Sequence, residues 1–292
     1  MGSDIKVGQL LLSKGAHVGS AEMGILVSMG VTDVDIYRHP KVAIMSTGNE
    51  LIDPNRTRSP GSSGTKPPYG KIRDSNRTII KMLFKEHSIE FEDAGIAPDE
   101  ADQLLKCILN ALKANDILVT SGGVSMGEKD LLKEVLQVDL EFMVHFGRVF
   151  MKPGMPTTFA SGVVEGRKKW VFALPGNPVS AWVTTQLYVI PALKRFSGWN
   201  EYLPRTIPVK LVNRIKLDPR PEYHRAIFVS GTVDDSTPRA RSTDINQMSS
   251  RLFNTRSSNL LLMLPSSKDL EFKNVDYVEE NTVVKALVVG KL

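Results

Sequence analysis

The chain has 292 residues, 41% hydrophobic and 24% charged, with a formal net charge of +5. The length accommodates two domains and the composition is that of a globular protein, while no apolar run reaches the about 18 residues of a membrane helix. Lys and Arg are spread along the chain rather than gathered into a stripe, which argues against nucleic acid and favours a local site for a small anion. The N-terminus lacks the apolar core of a signal peptide, and Cys107 is the only cysteine. No internal disulfide is therefore expected, and the setting reads as reducing and cytoplasmic.

In chain order, the first forty residues offer a short strand at Gln9–Leu12, a helix from Ser20 to Met29 and an extended stretch at Val34–Tyr37. A segment of this size cannot build its own core and must dock elsewhere. From 41 to 200, short apolar runs alternate with helical patterns. Lys41–Met45, Ile89–Asp93, Asp116–Thr120 and Trp170–Leu174 read as strands. Asp74–His87, Asp99–Lys113, Glu128–Gln137 and Pro178–Phe196 read as helices, the first capped by Asp74-Ser75-Asn76. Leu104, Leu105, Ile108, Leu109 and Leu112 form one helical stripe. This alternation predicts an α/β domain, a mostly parallel sheet with helices on both faces. The stretch 53–70, rich in Pro, Gly and Ser, reads as a surface insertion. From 201 to 292 helical periodicity fades, and Pro208–Leu217, Ala226–Val229, Leu260–Leu264 and Thr282–Val289 predict a small β-barrel or sandwich.

Three strands end in unusual loops: Ser46-Thr47-Gly48-Asn49-Glu50, Ser121-Gly122-Gly123-Val124-Ser125-Met126-Gly127, and Pro175-Gly176-Asn177-Pro178-Val179-Ser180. Ligands of open parallel sheets bind outside the carboxyl ends of the strands, where glycines admit them to the backbone and helix starts favour anions. Each loop alone equally describes a tight turn. Two of them carry an acidic companion, Glu50 and Asp130. A carboxylate at a helix start ordinarily caps it, but beside a phosphate pocket carboxylates from separate loops suit Mg²⁺. No Lys-Ser/Thr P-loop ending and no Gly-x-Gly-x-x-Gly follows a strand, which disfavours nucleotide hydrolysis and dinucleotide redox chemistry. Lys152, set in Met151-Lys152-Pro153-Gly154, is either a solvated charge or a cation fixed to meet an anion. The polar clusters Asp218–Arg225 and Asn246–Arg251 read as surface loops that would also suit an oxyanion. Five scattered histidines and a lone cysteine support neither a zinc site nor a Cys-His nucleophile, and no Gly-x-Ser-x-Gly elbow is present.

Taken together, Ser46–Glu50, Ile72–Arg77, Ser121–Asp130, His145–Pro153, Leu174–Ala181, Leu217–Arg225 and Asn246–Leu252 resemble the molybdopterin molybdenumtransferase family, nearest its gephyrin and cinnamon type. The resemblance covers essentially the whole chain. It implies a molybdopterin-binding α/β fold over 41–200, a C-terminal barrel over 201–292, and a remnant of an elongated dimerisation domain over 1–40. It also implies Mg²⁺-assisted insertion of molybdate into adenylylated molybdopterin with release of AMP. On that likeness Asp130, Glu50 and Asp99 are the catalytic carboxylates, Asp130 and Glu50 holding the metal. Asp74, Ser75, Ser121, Gly122, Gly123, Ser125, Gly127, Pro175, Gly176, Asn177, Pro178 and Ser180 would cradle the pterin and phosphates, and Lys152, Arg220 and Ser249 the molybdate. Met155 departs from the second lysine of bacterial and plant members. Family members carry a further segment before the position of Ser3, so the chain is expected to be a fragment of a homodimeric protein. Two other readings remain: a scaffold gripping a receptor-tail peptide, for which Tyr223 matches but Leu264-Pro265-Ser266 does not, and the adenylylation step of the same pathway.

Overall fold

The computed structural model describes residues 4–54, 67–124, 130–230, 236–269 and 276–292. Only the ends of the 53–70 insertion are among them, and Ser125 and Gly127 lie outside them.

Val42–Thr47 (β1) is buried along its whole length. Its side chains alternate between two cores, Val42 and Ile44 in one, Ala43 and Met45 in the other. A strand covered on both faces needs no polar alternation, which is why this run is so apolar. Two short strands, Leu51–Ile52 (β2) and Ile72–Arg73 (β3), pair in parallel and flank the insertion. The main sheet adds Glu92–Ala97 (β4), Ile117–Ser121 (β5), Met143–Phe146 (β6), Thr158–Val164 (β7) and Arg167–Leu174 (β8) in the order β4-β1-β5-β8-β7-β6. The first four neighbours are parallel, and β7 runs against β8 and β6.

Helices Ser20–Ser28 (α1), Asn76–Glu86 (α2), Ala101–Ala114 (α3), Leu131–Glu134 (α4), Pro178–Thr184 (α5) and Ile190–Phe196 (α6) follow the expected order. Ile80 and Phe84 of α2 with Ile190 and Leu193 of α6 cover one face. Leu104, Ile108 and Leu112 of α3 with Leu132 of α4 cover the other. A wide turn at Thr185–Val189 joins α5 to α6 just before Pro191, where the missing proline N–H would interrupt a regular helix.

Several expectations shift. The strand expected at Ile89–Asp93 begins only at Glu92, because the Ile89 amide bonds Phe84 O at 2.8 Å and Ser88 turns at φ +55°. Gln9–Leu12 and Val34–Tyr37 form no strand. That segment lies along the end of α6 instead, with His17 and Trp199 rings 4.7 Å apart, and Val7, Leu10, Val27 and Ile36 exposed. The β6–β7 hairpin was not expected at all.

Beyond α6, Thr206–Leu211 (β9), Glu222–Val229 (β11), Arg239–Ser242 (β12), Leu260–Leu264 (β13) and Val283–Val288 (β15) close a barrel in the order β11-β12-β9-β15-β13. A small pair, Ile215–Lys216 (β10) with Tyr277–Val278 (β14), flanks it. Val209, Leu211, Leu260, Leu262 and Ala286 fill it. Met151, Val179, Val183 and Leu261 form a separate cluster that seals α5 of the sheet unit to the barrel. Among the described residues no helix is long and apolar enough to cross a membrane.

Phe84 is fully buried between α2 and the sheet. Phe84→Ala is expected to lower unfolding stability by about 3–5 kcal/mol, read from urea denaturation.

Candidate functional site

The chain leaves β1 toward β4 but leaves β5 toward β8, so the carboxyl ends of β1 and β5 flank the point where the strand order reverses. Open α/β sheets take ligands at this point. Gly122 and Gly123 leave β5 there at φ +89° and +70°. A Cβ on Gly122 would stand 2.4 Å from the Thr47 carbonyl oxygen, and one on Gly123 2.7 Å from Thr47 Oγ1. Both the angle and the close approach demand glycine. The third loop lies alongside: a Cβ on Gly176 would stand 3.7 Å from Gly122 Cα.

Asn76, the first residue of α2, ties these loops together. Its Nδ2 donates to Ser121 Oγ and to Gly176 O, each at 2.7 Å. The sequence signalled this residue only as part of the capping cluster. Ser75 stands at the cap position of α2. Asp74 is buried, and both its oxygens are engaged: Oδ1 by Ser46 Oγ at 3.0 Å and the Arg77 amide at 3.1 Å, Oδ2 by Arg77 Nε at 2.9 Å. Arg77 also reaches Asp53 at 2.7 Å and Asp93. Burial opposes its charge, but bonds to these three carboxylates raise its pKa above the ordinary arginine value. Asp74 thus ties the start of α2 to the end of β1. Pro178 opens α5, and the Val179 amide donates to Ser249 O at 3.1 Å. Asn177 Nδ2 donates to Ser249 Oγ at 3.1 Å, and Ser180 is buried. Pro175 is buried at the end of β8.

The acidic residues occupy two places. Asn49 N donates to Asp99 Oδ2 at 3.2 Å and Asp99 N to Asn49 Oδ1 at 3.3 Å, joining the loops after β1 and β4. Glu50 folds over Gly48, where a Cβ would meet its Oε2 at 2.6 Å. Asp130 caps α4, accepting from the Lys133 amide at 3.3 Å, with Lys133 Nζ 3.2 Å from its Oδ2. That Oδ2 is buried and, among the described residues, receives no hydrogen bond beyond this ion pair. Among the described residues no contact joins Asp130 to Glu50 or Asp99, and no group of three potential metal ligands is assembled. Mg²⁺ bound largely through phosphates needs only one or two carboxylates, a requirement that Asp130 could meet by exchanging its Lys133 partner for the metal.

A second cluster lies where the sheet unit meets the barrel. The Lys152 amide donates to Pro221 O at 2.9 Å and the Tyr223 amide to Lys152 O at 2.8 Å, so this loop extends the edge of β11. Lys152 Nζ lies 3.2 Å from Asp218 Oδ2 and 3.3 Å from Glu222 Oε2. Arg220 Nε lies 3.0 Å from Asp218 Oδ1. Lys152 and Arg220 are thereby brought together through Asp218, whereas Ser249 sits with Asn177. Lys152, Asp218 and Glu222 border a cleft of about 1140 Å³.

The clusters read as surface loops hold buried polar groups. His224 Nδ1 is 3.1 Å from Glu222 Oε1, and its Nε2 is 2.6 Å from Ser242 Oγ. Burial pushes the Glu222 carboxyl up, but His224 and Lys152 outweigh it and hold the group below its ordinary value. Arg225 is 0% exposed and its guanidinium makes no hydrogen bond among the described residues; burial lowers it to about 10. Gln247 brackets its backbone, accepting from Arg225 N at 2.7 Å and donating to Arg225 O at 2.6 Å.

A mostly parallel sheet with glycine- or proline-bearing loops at the carboxyl ends of three strands, joined to a closed barrel, defines an α/β protein with a second, all-β unit. Residues 43–195 match the family described as probable molybdopterin binding domain, and the chain belongs to that family. It is 37% identical over its whole length to gephyrin of Dictyostelium discoideum, covering 42% of that protein. Over 79% of its length it is 39% identical to the molybdenum cofactor synthesis protein cinnamon of Drosophila melanogaster, covering 36% of it. The molybdopterin molybdenumtransferase of Haemophilus influenzae is 34% identical over 78% of the chain, which covers 53% of it. The crystal structure of the molybdopterin biosynthesis moea protein from Pyrococcus horikosii superposes with a TM-score of 0.75 at 26% identity, over 99% of this chain and 64% of that one. The chain thus spans about half or less of the curated relatives it matches.

Glu222 offers a pH test. Its carboxyl lies below the ordinary 4.5 in the folded protein, so its contribution is fully present above pH 4.5 and is lost as pH falls through the lowered folded value. Glu222→Gln is expected to lower stability at neutral pH and to flatten its decline in acid, as read from denaturation midpoints across pH.

Proposed function

We propose that this chain carries the molybdenum-insertion site of molybdenum cofactor biosynthesis, transferring molybdate onto adenylylated molybdopterin with release of AMP. The observation that carries the reading is the meeting of Gly122, Gly123 and Gly176 at the strand reversal, with Asn76 holding the loops. The names and likeness of the relatives support the same pathway. Ser121, Gly122, Gly123, Ser125, Gly127, Pro175, Gly176, Asn177, Pro178 and Ser180 would cradle the pterin and phosphates, with Asp74 and Ser75 shaping the floor. Asp130 and Glu50 would hold Mg²⁺, which neutralises phosphate charge when bound, and Asp99 would set the β1 loop through Asn49. Lys152, Arg220 and Ser249 would hold the molybdate. Attack at a phosphoryl centre calls for charge neutralisation more than for a protein nucleophile, and fixed cations supply it.

We also read the chain as three parts, 1–40, 41–200 and 201–292, the first a piece of a dimerisation element. The exposed Val7, Leu10, Val27 and Ile36 support that role, since apolar side chains clustered in one segment favour a covering partner.

Asp130→Asn keeps the shape of the side chain and removes its charge. It is expected to lower molybdate insertion by at least about a hundredfold while pterin binding persists. Insertion at the wild-type rate would refute the assignment.

A further inference from the structure

Resting on the reading of Lys152 and Arg220 as oxyanion-binding groups, one neighbour stands out. Asp218 contacts both: its Oδ2 is 3.2 Å from Lys152 Nζ and 3.4 Å from Arg220 Nη2, and its Oδ1 is 3.0 Å from Arg220 Nε. The Arg220 amide donates to the same Oδ1 at 3.0 Å, and the Ser267 amide holds the Asp218 carbonyl at 2.9 Å. The carboxylate is therefore fixed by backbone as well as by the two cations. Glu222 Oε2 takes a further share of Lys152 at 3.3 Å. Within these direct contacts two cations and two carboxylates cancel, and the cleft around them adds Arg214, Lys216 and Arg241 against Asp244 and Glu280.

We propose that Asp218 is an internal counter-ion that an incoming tetrahedral oxyanion must compete with, and that it sets the affinity of the site low. A lysine has three donors and an arginine five, so Lys152 and Arg220 keep free N–H groups for a ligand even while paired with Asp218. What the ligand meets is the like charge of the carboxylate, felt more strongly in a half-buried cleft than in water. A weak site suits an oxyanion that is a substrate to be passed on, because tight ground-state binding does not speed the transfer. The same carboxylate holds the two cations in place before the ligand arrives.

Sodium molybdate titrated calorimetrically into the 292-residue chain tests this with four proteins: wild type, Lys152→Ala, Asp218→Asn and Asp218→Ser. Asp218→Asn is expected to tighten binding about tenfold and to steepen its loss with added salt, Asp218→Ser to act in the same direction, and Lys152→Ala to weaken it at least tenfold. Affinity equal to or below wild type in both Asp218 variants, with Lys152→Ala weakened, overturns the counter-ion role and makes Asp218 a support for the cations. Affinity unchanged by Lys152→Ala overturns instead the assignment of Lys152 to the oxyanion. Damaged folding would not mimic the expected result, since disruption loosens a site rather than tightening it.

Discussion

Between the end of β1 and the loop leaving β5 there is no room for a side chain. Thr47 presents its carbonyl and hydroxyl oxygens to Gly122 and Gly123 at separations that any Cβ would violate. This contact lets the β5 loop fold over the end of β1 and come beside Gly176. With the loops in place, Asn76 can bridge Ser121 and Gly176. Underneath, Asp74 ties Ser46 of β1 to Arg77 of α2, so the bridging asparagine is carried on a helix whose start is itself anchored to the sheet. The arrangement of these loops is thus a consequence of how closely two backbones pack, more than of any one side chain.

The apolar pattern revealed the central sheet because its strands are covered on both sides. Val42 to Met45, Ile117 to Val119 and Val171 to Leu174 are nearly continuous apolar runs, and only a strand with helices on both faces accounts for several of them in alternation with amphipathic helices. The β6–β7 hairpin was illegible for the opposite reason. Met143 to Phe146 alternate exposed and half-buried, and Thr158 to Val164 carries three small residues in a row, Ala160, Ser161 and Gly162. Gly162 looks out of place in a strand until Phe142 is seen pressed against it, its ring 2.1 Å from where a Cβ would be. That contact is made by tertiary packing and leaves no local mark.

The site divides in the same way. Glycines with positive φ and acidic residues after strands can be picked out by position, and the family resemblance supplied roles for them. Asn76 could not be distinguished from an ordinary helix-start residue, since its two partners lie 45 and 100 residues away. Glu222, His224, Arg225 and Gln247 looked like polar loop residues, because the eye expects a barrel interior to be apolar. In fact Glu222 and His224 hydrogen-bond each other within strand β11, and Gln247 satisfies the Arg225 backbone from a neighbouring turn. Buried polar side chains of this kind are specified by partners, and partners become visible only once the chain is folded.

The loop carrying Lys152 belongs by sequence to the sheet unit, yet the residue's amide and carbonyl are both hydrogen-bonded to the start of β11. Ser249 of the barrel likewise caps the start of α5 through the Val179 amide. Each unit therefore completes a piece of the other's secondary structure, with the Met151, Val179, Val183 and Leu261 cluster between them. Two bodies stitched this way do not open as independent foldons: loosening the barrel frees Lys152, and loosening α5 frees Ser249. Such a seam gives the chain one cooperative melting unit in place of two, and any ligand that spans it will stabilise both halves at once.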